Sequence, residues 1–305
     1  MMIRRDSMGL NWRKIGLTIL SAFVLFLAAC GGNDAANEDA IVDGDKIELV
    51  YVTWDTEVAS THVIGTVLED LGYDVTLTIL DMAIMWESIA DGEADATVSA
   101  WLPQTHEAQL DEYGDQVDHL GVNLEGGKIG YVVPSYMDVD SVEDLTTEAD
   151  QTVVGIEAGS GTVAAAIEVA ETYPNLEDWE VQTSSSGAMA TELGKAIENG
   201  EEIVVTGWTP HWKFQKYDLK FLEEPLGIIG ADENIETFAR QGLKEEHPIA
   251  YSVLENFHWE LDDIEQVMLD IQEGASPEDA ARDWIDNNPD KVAEWTAEAE
   301  EIAAN

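Results

Sequence analysis

The sequence predicts an α/β protein of two lobes with a ligand cleft between them, and three observations support this fold class. Strand-like and helix-like segments alternate from residue 47 onward, which is typical of sheets with helices on both faces. The chain has 305 residues, and 45% of them are hydrophobic. Because a single core rarely grows beyond ~250–300 residues, this length is enough for two packed domains. Two predicted strands also end alike, in Trp101-Leu102-Pro103 and in Trp208-Thr209-Pro210. Ligand groups at such carboxyl ends of strands would face one another across a cleft.

The first lobe is predicted from the spacing of its apolar residues. The β-branched run Ile47–Val52 indicates a buried strand, and the apolar repeat over 58–71 indicates a helix that stops at Gly72. Further strands are predicted over 75–80, 94–100 and 129–133, and further helices over 82–90 and from Thr105.

The second lobe repeats this alternation after a short acidic segment at 138–150. Strands are predicted over 152–156, 179–183, 203–206 and 235–240, with one helix opened by Gly159-Ser160-Gly161-Thr162 and another over 188–197. Four helices follow over 247–257, 261–272, 277–287 and 289–303. We expect mainly parallel sheets, lobe I over 47–137 plus 226–305, and lobe II over 138–225. The chain is expected to cross between the lobes at 134–153 and 222–238.

The amino-terminal 29 residues form a predicted secretory signal. Four basic residues lie before or at the start of the apolar run 15–29, which is short for a membrane span of ~20 residues. Small residues precede Cys30, the only cysteine, and the polar tether 30–46 follows it. A buried thiol is the alternative, but the pattern resembles a bacterial lipobox. That resemblance implies cleavage before Cys30, a diacylglyceryl group on its sulfur, and anchorage at the extracytoplasmic face of the membrane.

The chain after residue 29 is strongly acidic. Removing 1–29 takes away four of 14 basic and one of 63 acidic residues, which leaves 10 − 62 = −52. Nucleic acids and anionic lipid surfaces are therefore excluded as expected partners. The charge is spread along the chain, which indicates a solvated surface, and we interpret it as adaptation to a saline habitat.

Three of the ten tryptophans are predicted to hold a ligand. Trp54, Trp101 and Trp208 each follow a predicted buried strand, where a side chain reaches a loop. Any one of them alone would be read as core packing, but three equivalent positions favour an aromatic cage for a cation. Trp212 is left between packing and support of the site. Packing is expected for five others: Trp86, Trp179, Trp259, Trp284 and Trp295.

Gly159-Ser160-Gly161-Thr162 follows a strand and opens a predicted helix. The backbone N–H groups of such a turn can bind an anion, although a plain turn is as compatible with the sequence. The segment lacks the residues of nucleotide-binding motifs, which makes a carboxylate the better guest. His106-Glu107 begins a zinc-protease motif, but Leu110 replaces its second histidine, so no metal and no cofactor are expected.

Four segments together resemble the glycine betaine-binding proteins of OpuA-type ABC importers. They are Trp54-Asp55, Ser99 to His106, Gly159 to Thr162, and Thr206 to Trp212. The resemblance covers nearly all of 47–305 and implies a periplasmic-binding-protein-like fold. It implies that Trp54, Trp101 and Trp208 enclose the trimethylammonium group. It also implies that His106 and the amides of Gly161 and Thr162 hold the carboxylate.

The expected function is therefore capture of glycine betaine, or proline betaine, for osmoprotection. The ligand would pass to an ABC permease with a separate ATPase subunit, since the chain has no nucleotide motif. Choline, carnitine or another quaternary amine is the alternative ligand, and a tethered sensor is the alternative role. A secreted hydrolase is disfavoured, because neither a Gly-x-Ser-x-Gly elbow nor a catalytic cysteine is present.

Overall fold

The computed structural model describes residues 40–229 and 232–305. Its strands are β1 (Lys46–Tyr51), β2 (Asp74–Ile79), β3 (Ala96–Leu102), β4 (Val117–Pro134), β5 (Thr152–Val154), β6 (Glu180–Gln182), β7 (Val204–Thr209), β8 (Leu219–Phe221) and β9 (Glu233–Arg240). Its α-helices are α1 (Asp55–Asp70), α2 (Met82–Ala90), α3 (Glu107–Tyr113), α4 (Gly161–Thr172), α5 (Ser186–Asn199), α6 (Lys213–Lys216), α7 (Leu243–Glu246), α8 (Pro248–Asn256), α9 (Leu261–Glu273), α10 (Pro277–Asn287) and α11 (Pro289–Ala303). The predicted signal peptide and Cys30 lie outside the described residues.

Two sheets share β4. The first sheet has the order β2-β1-β3-β9-β4, in which β4 pairs with β9 up to Gly127. The second has the order β4-β7-β5-β6, and here β4 pairs with β7 from Lys128 onward, while β8 pairs with its last residues. The chain therefore passes into the second sheet at Gly127–Lys128 and returns to the first between β8 and β9.

Glycine at 127 allows β4 to pass close to its neighbours where it changes sheet. A Cβ at this position would lie 2.9 Å from the ring of Trp101 and 2.9 Å from the carbonyl oxygen of Glu233. Neither contact is compatible with a side chain, because both distances are below normal van der Waals separation. The crossing point thus packs directly against Trp101, one of the predicted cage residues.

The expectation of mainly parallel sheets is wrong for the centre of the molecule. β1 runs parallel to β2 and β3, and β5 runs parallel to β6 and β7. Every pairing of β4 and β9 is antiparallel, as in β3–β9, β4–β9, β4–β7 and β4–β8. These two strands carry the chain out and back between the sheets, so they run in opposite directions without a crossover helix.

The first crossing also falls earlier than the predicted segment 134–153, whereas the return lies within the predicted segment 222–238. The sequence showed only 129–133 of the 18-residue strand β4. Its first half lacks a continuous apolar pattern because it contains Gly121, Gly126 and the buried Asn123. The Asn123 side chain is paired within the sheet, since its Nδ2 donates to Val98 O and to Thr237 Oγ1. The lobe boundaries at 137/138 and 225/226 stay a prediction.

The carboxyl-terminal helices close the first sheet on one side. α8, α9, α10 and α11 begin and end within one residue of the predicted ranges. α10 packs on α1, where Arg282 donates to both oxygens of Asp70 over 2.6 and 2.7 Å. Trp284 stacks on Trp295 with ring centroids 5.6 Å apart, and Trp259 meets Trp284 edge-on. These tryptophans are buried, as their packing interpretation requires.

Within 40–229 and 232–305, no helix has both the length and the apolar character of a membrane span. The same residues contain no group of three or more His, Cys, Asp or Glu side chains that could hold a metal ion.

Candidate functional site

The three predicted cage tryptophans line one cavity. Trp54, Trp101 and Trp208 surround one small cavity. The rest of its wall consists of Thr105, Ile129, Ile156 and Thr162. The Trp54 and Trp208 rings lie 6.4 Å apart between centroids and are inclined by 50°. A cavity walled mainly by ring faces and apolar groups suits a solute with a bulky apolar or cationic head.

Two of these tryptophans lie inside their strands, not beyond them as the sequence predicted. Trp54 is the residue before α1, but the backbone of Trp101 pairs with Ile235, and that of Trp208 pairs with Ile129. The pairing of β3 with β9 continues to Leu102, and that of β7 with β4 continues to Thr209. Both strands then reach a cis peptide bond, at Leu102-Pro103 and at Thr209-Pro210.

Carboxylates hold two of the three indole N–H groups. Trp101 Nε1 donates to Glu57 Oε1 over 2.5 Å, and Trp54 Nε1 donates to Glu157 Oε2 over 3.2 Å. Burial raises the pKa of Glu57 to about 7, although hydrogen bonds from Thr56 and Trp101 favour its charged form. Trp208 Nε1 is buried and has no hydrogen-bond partner among the described residues. The two acidic side chains bind the edges of the rings and fix their orientation.

His106 is buried beside the cavity wall as a neutral hydrogen-bond donor. Its ring lies 5.9 Å from that of Trp54, and its Nδ1 accepts from Trp86 Nε1 over 3.2 Å and from the Trp101 backbone N–H over 3.3 Å. The ring proton therefore sits on Nε2. Burial lowers the pKa of His106 to about 3, so the ring is neutral at physiological pH. Nε2 has no partner in the described part of the chain.

The start of α4 provides backbone N–H groups at the same cavity. Ser160 caps the helix, its Oγ accepting from Val163 N over 3.3 Å, and Thr162 borders the cavity. The N–H groups of a helix's first turn have no acceptor within the helix, and the helix dipole makes this end positive. A Cβ at Gly161 would lie 2.2 Å from the Thr105 carbonyl oxygen. The second sheet's helix therefore touches the first sheet's loop only because residue 161 is glycine.

Asp55 joins the two sheets beside the cavity. It is the first residue of α1, and its oxygens accept from Trp212 Nε1 over 2.7 Å and from Ser186 Oγ over 3.2 Å. His211 Nε2 lies 3.3 Å from the same carboxylate. Burial alone would raise the pKa of Asp55, but the contact with His211 and the hydrogen bond from Trp212 outweigh it and hold the pKa at about 2. With the Trp54–Glu157 bond, these contacts hold the cleft closed.

Sequence reasoning missed the charged groups around the cage. It assigned no role to Asp55, Glu57, Glu157 or His211, and it left Trp212 between packing and support. The structure gives Trp212 a buried hydrogen bond to Asp55, and it gives Trp86, expected to pack only, a hydrogen bond to His106. Spacing carries no signal for these pairs because their members come from distant parts of the chain.

Comparison with known proteins gives a family match over most of the chain. Residues 45–287 match the family described as the substrate binding domain of ABC-type glycine betaine transport system. The glycine betaine/carnitine transport binding protein GbuC of Listeria monocytogenes is 48% identical over 165 residues. That alignment covers 53% of this chain and about half, 55%, of the relative's length.

Solved structures agree with this match. Lactococcal OpuAC, in a closed conformation complexed with glycine betaine, is 52% identical with a TM-score of 0.81, over 83% of this chain and 99% of that one. ProX from Borrelia burgdorferi is 31% identical with a TM-score of 0.81, over 86% of this chain and 100% of that one. A choline-binding protein of an ABC transporter, in complex with choline, is 26% identical with a TM-score of 0.77, over 83% of this chain and 91% of that one. The two-lobed binding-protein fold predicted from the sequence is thus confirmed.

Proposed function

Because the chain belongs to the family of substrate-binding domains of ABC-type glycine betaine transport systems, we propose that it captures glycine betaine outside the cytoplasm. It then delivers the ligand to a membrane permease driven by a separate ATPase subunit. The observation that carries this proposal is the convergence of Trp54, Trp101 and Trp208 on one small cavity that also borders the start of α4.

The cage suits the cationic half of the ligand. A trimethylammonium group has no N–H to donate, so hydrogen-bond acceptors cannot hold it strongly. Aromatic faces attract it instead, with ~2 kcal/mol or more when the contact is desolvated. The rings are almost fully buried, and Glu57 and Glu157 accept the N–H groups of two of them. Ionised carboxylates at the edges of the rings favour a cation in the cage.

The carboxylate of the ligand is assigned to His106, Gly161 and Thr162. His106 offers a neutral Nε2–H donor, and the first turn of α4 offers backbone N–H groups and the positive end of its dipole. An anion bound at these groups satisfies buried donors that otherwise lack a partner. The charged ends of a zwitterion would thus be held by opposite walls of one cavity.

Titration of the purified protein with glycine betaine, combined with single tryptophan substitutions, tests this assignment. Trp54→Ala, Trp101→Ala and Trp208→Ala each remove one ring face and admit water. We expect each to raise the Kd about thirtyfold, which corresponds to ~2 kcal/mol. Trp284→Ala is the matched control, since it removes a buried ring of the α10–α11 cluster, lowers stability and leaves the Kd unchanged. Cage variants that bind like the unaltered protein would refute the assignment.

Choline or carnitine is the alternative ligand. The name of the Listeria relative includes carnitine, and one similar structure holds choline. Choline ends in a hydroxyl, which leaves the donors of His106 and α4 without an anion. The same titration with choline and carnitine ranks the affinities of the three ligands. If choline had a lower Kd than glycine betaine, choline would become the proposed ligand. A tethered sensor would bind the same ligands as an importer component. Transport assays with the permease distinguish the two roles, because only an importer component supports uptake of the ligand.

We assign the membrane anchor to Cys30. Lipid attachment at this cysteine would keep the protein at the outer face of the membrane beside its permease. Cys30→Ala removes the only thiol of the chain, so incorporation of a labelled fatty acid should vanish. Label that persists on this variant would contradict the lipobox.

A further inference from the structure

Lys213 is a fully buried lysine next to one of the cage rings. It is the first residue of α6, its exposed fraction is 0%, and its Nζ lies 4.0 Å from the centroid of the Trp208 ring. Within the described residues, Nζ has no hydrogen-bond partner. An ammonium group in this position is costly, because burial removes its water and no acceptor replaces it.

The surroundings of Lys213 are mainly apolar and aromatic. Its Cε lies against Gly207 of β7, next to Val132 of β4, and its Nζ is 5.7 Å from the Phe214 ring. The charged and titratable groups that face it are Asp55 on α1 and His211 in the turn before α6. Burial lowers the pKa of Lys213 to about 7, and the charge of Asp55 opposes this only in part.

We propose that Lys213 is an affinity-determining residue, whose ammonium form weakens the hold of the cage on a cationic ligand and whose neutral form restores it. The ammonium draws on the same π-electrons of Trp208 that a bound trimethylammonium would use, and the two positive charges repel each other. This inference rests on the proposed function, since it requires a cation in the cage. The inference further implies that the affinity for the cationic ligand is lower at mildly acidic pH than at mildly alkaline pH.

Other titratable groups near the cage have to be separated from Lys213. The pKa of His106 is about 3, that of His211 about 4 and that of Asp55 about 2, so none of them titrates between pH 6 and 9. Glu57, with a pKa of about 7, gains its negative charge over this range and also favours a cation at high pH. A comparison with and without Lys213 at each pH removes this shared contribution.

The experiment is calorimetric titration of glycine betaine against the unaltered protein and Lys213→Met at pH 6 and pH 9. Met keeps the length and apolar stem of the lysine without its charge. We expect Lys213→Met to bind about tenfold more tightly at pH 6 and within about twofold of the unaltered protein at pH 9. Lys216→Met is the matched control: Lys216 is exposed, and its Nζ lies 5.3 Å from the ring of Trp212, which does not line the cavity. Its affinity should not change at either pH.

An analogue with an uncharged head group distinguishes charge from packing. In 3,3-dimethylbutanoate a carbon atom replaces the ammonium nitrogen and the carboxylate is kept. The Kd of this anion, measured by its displacement of betaine and corrected for the Kd of betaine in each protein, should therefore not fall in Lys213→Met. Equal or weaker betaine binding by Lys213→Met at pH 6, or an equal gain at both pH values, would overturn the inference. Lys213→Gln, also uncharged, takes the same test if the Met variant does not fold. Absence of betaine binding by the unaltered protein would instead refute the proposed function, and this inference with it.

Discussion

His106 illustrates how burial and two hydrogen bonds define the chemistry of a single side chain. Trp86 and the Trp101 backbone both donate to Nδ1, which fixes the tautomer, and burial keeps the ring neutral. A charged imidazolium would bind a carboxylate more strongly, but at a large desolvation cost. The neutral ring offers one donor in one direction. Such a donor selects a ligand by the presence of an acceptor at that point.

His106→Ala should reduce glycine betaine binding more than choline binding. Substitution leaves the N–H groups of Trp86 and Trp101 without an acceptor, but this loss affects both ligands and cancels in the comparison. We expect betaine to bind the unaltered protein at least tenfold more tightly than choline, and the variant to narrow that ratio severalfold. Calorimetry of both ligands on both proteins gives the four constants. Because the pKa of His106 is about 3, the narrowing should be the same at pH 6 and pH 8. Equal losses for the two ligands would assign His106 to packing.

Single residues also show how far sequence reasoning could reach. Trp54, Trp101 and Trp208 could be selected as candidates because each follows a predicted strand, and His106 because it belongs to a segment that resembles the family. The hydrogen-bond partners of the tryptophans could not be selected, because they lie far away in the sequence. Glu57 is 44 residues from Trp101, Glu157 is 103 residues from Trp54, and Asp55 is 157 residues from Trp212. Only the fold brings these pairs together. A lysine among aromatic residues, as in Trp212-Lys213-Phe214, gives no sign in the sequence that it is buried.

Among the secondary-structure elements, α4 links recognition to closure. Its first turn borders the cavity, and its first residue, Gly161, contacts the backbone of Thr105 in the loop after β3. Both atoms nearest to a Cβ at 161 belong to the Thr105 backbone, at 2.2 and 2.6 Å, so no rotation of a side chain relieves the overlap. A side chain at position 161 would therefore push the two backbones apart.

Gly161→Ala should therefore weaken ligand binding by preventing full closure. We expect glycine betaine affinity to fall at least tenfold, while thermal stability changes little because alanine is a better helix former than glycine. Gly187→Ala is the control, since it changes the second residue of α5, where a Cβ would meet nothing within 4 Å. Calorimetry and thermal melts of both variants give the comparison. Unchanged affinity in Gly161→Ala would mean that the contact with Thr105 is not needed for binding.

The elements themselves were predictable to different degrees. The helices of the carboxyl-terminal third have apolar repeats, and α8, α10 and α11 also have Ser or Pro at their starts, so the bounds of these helices were predicted to within a residue. β8 has three residues and the first half of β4 is interrupted by glycines, so neither gives a clear strand pattern. Strand direction depends on which segments become neighbours, and the return of β9 between β3 and β4 has no local signal.

For the whole molecule, the dominant property is its negative charge. The chain has 63 acidic and 14 basic residues, and several of the basic ones are committed to ion pairs. Arg282 binds Asp70, Arg240 binds Asp95 and Glu246, and Lys291 binds Asp263. The remaining acidic side chains repel one another across the surface. This repulsion acts on the folded state more than on the expanded unfolded chain.

Thermal stability should therefore rise with salt. At 1 M sodium chloride the Debye length is ~3 Å, which screens repulsion between surface carboxylates. We expect Tm to increase steadily from low salt to about 1 M, while betaine affinity, which depends on contacts inside a closed cavity, changes much less. Calorimetric melts in sodium chloride and in a neutral osmolyte of equal osmolality separate charge screening from solvent exclusion. A Tm that does not change with salt would contradict the saline-habitat interpretation.

The place of β9 between β3 and β4 determines the order in which a growing chain can assemble. A polypeptide that emerges from its amino end has every strand of the second sheet available once Phe221 has appeared. The first sheet must wait for Arg240, since until then β3 and β4 lack the neighbour that separates them. The half of the molecule that begins first is thus finished last. The cavity lined by Trp54, Trp101 and Trp208 has walls from both sheets, so it forms only at the end of assembly, and an unfinished chain lacks it.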